Sequence, residues 1–307
     1  MNIRARRVNN YNLFANHAWY VPGVKGMFAL LGLFLLGNVL GALVMLIFGL
    51  FVPPSVVEAY SMLIVYPVSF IPPMLYAARK SQGNSLFEPG FKLNSSHFGP
   101  FKAWQIVLIT ILLSFATMMA ADWPNYLNFE ATSRISWLKS FYDVMMESLS
   151  KVTGGPFWSS FLLTAIFAPI FEEWLCRGMV LRGLLTRMKP AWAIVISALF
   201  FALIHMNPWQ ALNAFIIGVV MGYVYFKTGS LLLTMLIHFV NNGTAVICAQ
   251  IPSLEQYDYW MDMIGHQTYW VVYILSLIVL AACIWAFKRI PLEQPRGNVD
   301  GIDLSVE

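Results

Sequence analysis

Residues 27–51 read MFALLGLFLLGNVLGALVMLIFGLF, a run without one charged side chain. As a helix it rises roughly 37 Å, more than the ~30 Å hydrocarbon core of a bilayer. A backbone in lipid must satisfy its own hydrogen bonds, which leaves the helix as the conformation for such a run. The rest of the chain matches this beginning. Only 19 basic and 15 acidic residues occur among 307, or 11% charged, where soluble domains carry about 25%. Apolar residues make up 59%, and the mean hydropathy is +0.66. So few charges cannot cover the surface of a 34.7 kDa protein in water, and so apolar a chain is not a disordered one. A net charge of +4 without a dense basic block excludes a nucleic-acid binder. The expected fold is all-α, a polytopic membrane helix bundle whose main partner is lipid.

Eight runs qualify as spans: about Met27–Phe51, Val56–Ala78, Ala103–Ala121, Phe157–Leu185, Ala191–His205, Trp209–Phe226, Leu231–Gln250 and Tyr269–Phe287. Pro67, Pro72 and Pro73 interrupt the second. The basic stretch at Arg4, Arg6 and Arg7 precedes an apolar run too long for a signal peptide core, so the first span is expected to stay uncleaved. With eight spans both termini share one side. That side collects sixteen of the nineteen lysines and arginines, among them Arg79, Lys80, Arg177, Arg182, Arg187, Lys189, Lys288 and Arg289. Only Arg134, Lys139 and Lys151 fall opposite. Positive charge stays in the cytoplasm, so the expected topology is N-in and C-in.

The chain divides accordingly. Residues 1–155 hold the basic N-terminal segment, three spans and a long outer loop in which Ser133 to Leu149 suits a surface helix. Residues 156–250 form a helical core, 251–290 an outer loop and the last span, and 291–307 a polar tail expected to be disordered in the cytoplasm. Residues 81–100 read as a polar inner loop. Gly37/Gly41 and Gly218/Gly222 are GxxxG pairs suited to close helix contact, although chance explains such pairs about as well in an apolar chain with 20 glycines. Cys176, Cys248 and Cys283 lie apart without a CxxC pair, so neither disulfides nor a thiolate metal site is expected.

Ionisable groups inside a membrane are costly and ask for a reason. Most acids fall in loops or the tail, and Glu58 lies at a span end. Glu172 and Glu173 do not: they follow Ala165-Ile166-Phe167-Ala168-Pro169-Ile170-Phe171 and precede Trp174-Leu175. Glu173 and Arg177 are four apart and share a helix face, so they are placed to pair. Glu172 is rotated about 100° away and lacks that partner, which leaves a free carboxylate suited to general base work. His205 stands four residues after Phe201, and His238 four before Asn242. A lone buried histidine is more often a satisfied core residue. Two of them, an amide and an acid pair within four successive spans weaken that reading. His17, His97 and His266 fall in loops or termini and receive no role.

In order, Glu172-Glu173-Trp174-Leu175-Cys176-Arg177 reads EExxxR, Phe201 to His205 reads FxxxH, and His238-Phe239-Val240-Asn241-Asn242 reads HxxxN. These motifs resemble the CPBP family of CAAX prenyl endopeptidases of type II and bacteriocin-processing or immunity membrane proteins, also called the Abi family. Gly218, Gly222-Tyr223 and Thr228-Gly229-Ser230-Leu231 resemble it too, and the likeness covers about Pro156 to Gln250. The resemblance implies a glutamate-dependent intramembrane endopeptidase, with Glu172 and His205 activating a water and His238 and Asn242 donating to the tetrahedral oxyanion. Arg177 would hold Glu173, and Cys176 would be an apolar filler. It implies a peptide or membrane-associated protein as substrate and an integral protein of the bacterial inner membrane. No cofactor is required by such a mechanism. Glutamate and histidine are able to bind zinc, but no HExxH stands here and zinc is not favoured. Two other classes compete. One is a non-enzymatic membrane protein that binds a peptide or confers bacteriocin immunity. The other is a proton-linked transporter, against which stands the lack of an inverted repeat.

This topology leaves a question of depth. His205 falls near the outer end of its span, while the arginine-rich end of the Glu172 span points inward. Bends near Pro169 and Pro208 would be one way to bring the two together.

Overall fold

The computed structural model describes residues 20–81, 98–254, 256–257 and 259–291. Among them every regular element is a helix. In order these are α1 (Val24–Phe48), α2 (Pro54–Tyr60), α3 (Met62–Lys80), α4 (Ala103–Ser133), α5 (Ser136–Thr153), α6 (Phe157–Leu185), α7 (Pro190–Ile204), α8 (Pro208–Thr228), α9 (Leu231–Ala249), α10 (Trp260–Ile264) and α11 (His266–Lys288). Seven of them, α1, α3, α4, α6, α8, α9 and α11, are long and apolar enough to cross a membrane. The eighth expected span is α7, whose 15 residues rise only ~22 Å.

The helices alternate between two ends. At one end Tyr20 donates its N–H to Ser81 Oγ (3.1 Å), Arg187 Nη1 donates to the carbonyl of Pro22 (3.1 Å), and Lys227 Nζ donates to the carbonyl of Lys288 (3.3 Å). At the other, Ser159 Oγ donates to the carbonyl of Ala59 (2.7 Å), Gln250 Nε2 to that of Gly155 (2.8 Å), and Trp209 Nε1 to Thr132 Oγ1 (2.8 Å). The junctions that the lysine and arginine count assigns to one side thus meet at one end of the bundle.

Two boundaries differ from expectation. Span 3 was expected to stop at Ala121, before the first acid; the helix continues to Ser133, and the surface helix α5 begins at Ser136. Asp122 is buried, and its Oδ1 accepts the N–H of Trp260 (3.1 Å), so this carboxylate is held inside the protein and marks no helix end. Span 2, expected to begin at Val56, is divided at Ser61: α2 ends at Tyr60 and α3 begins at Met62. Most of the expected inner loop at 81–100, and the tail after Pro291, lie outside the described residues.

Burial ranks the helices. In α6 61% of the most apolar window is buried within the protein, against 22% in α1 and 17% in α11. The outer two therefore turn leucine, isoleucine and valine toward lipid, while α6 is the centre of the bundle. Both GxxxG pairs are used. A Cβ on Gly37 would lie 2.8 Å from Ser69 Cα, and one on Gly41 2.9 Å from Val65 Cγ1, so α1 packs backbone to backbone on α3. Gly218 and Gly222 bring α8 close to α7, where an added Cβ would lie 3.1 Å from Ala198 Cβ and 3.0 Å from Ile194 Cγ2.

α6 is not a regular α-helix. Wide i→i+5 turns over Phe161–Phe167 and Trp174–Leu181 flank a short α segment, Ala168–Glu173. Such turns are rare and concentrate at functional sites. Here Pro169 supplies a cause, because its ring would clash with the carbonyl four residues earlier in an α register. The N–H of Ala168 bonds to the carbonyl of Leu163. The next carbonyl in that register, Thr164, would need an N–H from residue 169, and proline has none.

Residue counts along the two helices answer the depth question. Glu172 precedes the end of α6 at Leu185 by thirteen residues, and His205 follows the start of α7 at Pro190 by fifteen. At about 1.5 Å per residue both lie roughly 20 Å from the same end. The chain then turns through Met206, the one described residue other than glycine with positive φ (51°), and Asn207 caps α8 by accepting the N–H groups of Trp209 and Gln210.

Two outcomes are expected from unfolding midpoints in detergent. Gly37→Leu loses about 1–3 kcal/mol through overpacking, whereas Gly32→Leu, with nothing within 4 Å of its added Cβ, leaves the midpoint unchanged. Met206→Gly is tolerated, whereas Met206→Val, a β-branched residue forced to positive φ, loses about 1–2 kcal/mol.

Candidate active site

The site is built around a buried ion pair on α6. Glu173 and Arg177 are both fully buried, with Arg177 Nη1 2.6 Å from Glu173 Oε1. The same guanidinium donates through Nη2 to the carbonyl of Gly218 on α8 (3.0 Å) and lies 4.4 Å over the ring of Phe201 on α7. Gly218 makes room for this, since a Cβ there would sit 3.3 Å from Nη2. One side chain so ties three helices, and its charge is balanced by a carboxylate, as a buried charge requires.

Glu173 reaches a fourth helix. His238 on α9 places Nδ1 3.0 Å from Glu173 Oε1. A carboxylate only accepts, so Nδ1 carries the proton and Nε2 points onward to Glu172 Oε2 at 3.9 Å. His205 does the same from the end of α7. Its Nδ1 donates to the carbonyl of Phe201 (2.7 Å), which fixes the tautomer and leaves Nε2 facing Glu172 Oε2 at 3.8 Å. Both imidazoles stand edge-on to the Phe201 ring, at 4.9 and 5.5 Å between centroids. Phe201 thereby spaces two histidines and a guanidinium.

The two adjacent carboxylates have separate tasks. Glu172, 8% exposed, accepts at Oε1 a hydrogen bond from the hydroxyl of Tyr66 on α3. Its Oε2 is buried and has no hydrogen-bond partner among the described residues. A buried polar atom in that state asks for an explanation. Here the two imidazole Nε2 atoms face it at 3.8 and 3.9 Å, so three lone-pair acceptors converge without a hydrogen between them.

Asn242 follows His238 by one turn of α9. Its Nδ2 donates to the carbonyl of Thr164 (2.9 Å), the group that Pro169 leaves without a helical partner, and its Oδ1 accepts from Asn241 (2.9 Å). One N–H of the amide is spent on α6 and the second is left to donate elsewhere.

The structure thus links Glu172, Glu173, Arg177, His205 and His238 directly, and places Asn242 one turn from His238 with its amide fastened to the same helix, α6. His17 and His97 lie outside the described residues, and His266 opens α11. Tyr66 escaped the sequence reading, since its partner is 106 residues away and no spacing announces it. Thr164 escaped as well, although Pro169 five residues on was a usable signal. Glutamate and histidine are zinc-binding residue types, but no group of three or more His, Cys, Asp or Glu among the described residues is arranged to hold a metal ion.

No curated protein and no solved structure matches the chain. A family model does. All six polar residues and the carbonyls that fasten them fall within residues 154–244, and that segment matches the family described as type II CAAX prenyl endopeptidase Rce1-like.

Proposed function

We propose that this integral membrane protein is an endopeptidase of the CAAX type, which cleaves a peptide or membrane-associated protein with a water activated by Glu172 and His205. The observation that carries this reading is Glu172 Oε2, buried, without a hydrogen-bond partner among the described residues, and faced by the Nε2 atoms of His205 and His238 at 3.8 and 3.9 Å. A water set among these acceptors gives one hydrogen to Glu172 Oε2 and the other to His205 Nε2, and its lone pair is free for the substrate.

The chemistry follows from that placement. The water oxygen bonds to the scissile carbonyl carbon, Glu172 takes the water proton, and the carbonyl electron pair moves to oxygen. When the tetrahedral intermediate collapses, the C–N bond breaks and Glu172 returns the proton to the departing amine. The oxyanion formed in between needs donors. Asn242 has one N–H to offer, its other being held by Thr164. His238 donates through Nε2 when both its nitrogens carry protons, and Glu173 against Nδ1 is then its countercharge. Arg177 keeps Glu173 in place and takes no part in proton transfer. The Rce1-like match over the segment that holds these residues supports the reaction class.

Purified protein assayed in detergent on a peptide library, with products read by mass spectrometry, tests the reading. Glu172→Gln and His205→Ala are expected to lose at least ~10²-fold in kcat, and His238→Ala and Asn242→Ala about 10²–10³-fold each. Equal cleavage by wild type and Glu172→Gln would sink the assignment of the base. A stability experiment separates the ion pair from the chemistry. Arg177→Met strands a buried carboxylate and is expected to lose about 3–5 kcal/mol, while Glu173→Gln together with Arg177→Met recovers much of it, read as the thermal midpoint in detergent.

A further inference from the structure

We infer that Tyr66 is a positioning residue of this site, which holds Glu172 by Oε1 and so reserves Oε2 for the water; the inference rests on the protease reading above. Tyr66 lies on α3, outside the segment that matches the family. Its hydroxyl donates to Glu172 Oε1, and the described residues offer that oxygen no other hydrogen bond.

The terminal torsion of a glutamate is broad and roughly two-fold, so an unheld carboxylate presents either oxygen to the cavity. Neither Arg177 nor His238 corrects this, because both close on Glu173, and His205 and His238 stand 3.8 and 3.9 Å from Oε2 without a bond. Tyr66 is therefore what distinguishes the two oxygens of Glu172. The ring is itself fixed. It lies 5.4 Å from Phe70, which stacks at 5.2 Å and 20° on Phe171, the residue before Glu172, and Phe34 of α1 lies 5.1 Å from Phe70. The hydrogen bond and the aromatic ladder arrive at adjacent residues of α6, so α3 sets both the place and the rotation of the carboxylate. A base held in its productive orientation before substrate arrives spares the reaction that ordering step.

The hydroxyl can be removed without the ring. Tyr66→Phe is expected to lower kcat about 10- to 100-fold, as loss of a hydrogen bond to a charged group does, with KM within about twofold of wild type and a thermal midpoint lowered less than by Tyr66→Leu. Tyr66→Leu also removes the ring contact with Phe70, and is expected to lower the midpoint further in addition to the same loss in kcat. In a Glu172→Ala background, Tyr66→Phe should change the residual rate no further, since the two act as a unit. A Tyr66→Phe variant that cleaves at the wild-type rate would overturn this role and leave the protease reading standing. So would a loss that appears only in KM or in the midpoint, which marks a packing residue. Wild-type protein inactive on every library peptide would overturn the protease reading, and this role with it.

Discussion

The buried pair of Glu173 and Arg177 is the constraint on which the rest of the bundle turns. A guanidinium with no exposed surface in a helix crossing lipid has no water to fall back on, and each of its contacts decides the position of something else. The carbonyl of Gly218 sets the distance of α8, the ring of Phe201 sets the face of α7, and Glu173 passes the register on to His238 of α9. The glycine at 218 follows from this demand, as does the small residue facing it, Ala198. The two histidines are held separately, His205 by the backbone of Phe201 and His238 by Glu173, and both face Glu172.

Adjacent carboxylates so acquire opposite characters from the geometry of a single helix. One residue of rotation turns Glu173 into the packed interior of α7, α8 and α9, where its Oε1 meets Arg177 and His238. The same rotation turns Glu172 toward α3, where Tyr66 holds one oxygen, and toward His205 and His238, which face the other. The wide turns on both sides of Ala168–Glu173 matter here, because they set the register in which the pair is presented.

Much of this was legible in the residues themselves, for physical reasons. Spans are legible because charge is scarce, so each acid in an apolar run stands out; Glu172, Glu173 and their four-residue partner Arg177 were found in that way. Local i, i+4 relations carry over into three dimensions, which is why Phe201 with His205 and His238 with Asn242 read correctly as helix-face pairs. The same logic passed over Asp122, which lies just beyond the expected span Ala103–Ala121; the N–H that holds it belongs to Trp260, 138 residues on. Tyr66 failed for the same reason, as one of thirteen tyrosines whose partner is set only by how α3 packs on α6. Periodicity reports what a helix does along its own length, and the wide turns of α6 break that periodicity.

Proline is usually counted among residues that subtract from a helix. At position 169 the subtraction has a use. The hydrogen that Pro169 lacks leaves Thr164 with an acceptor facing sideways, and the amide of Asn242 completes it across the gap between α6 and α9. An alanine at 169 would restore an N–H to compete for that carbonyl, making α6 more self-sufficient and its grip on α9 weaker. The join between these two helices is therefore encoded by a missing atom, and a change that improves one helix taken singly works against the pair.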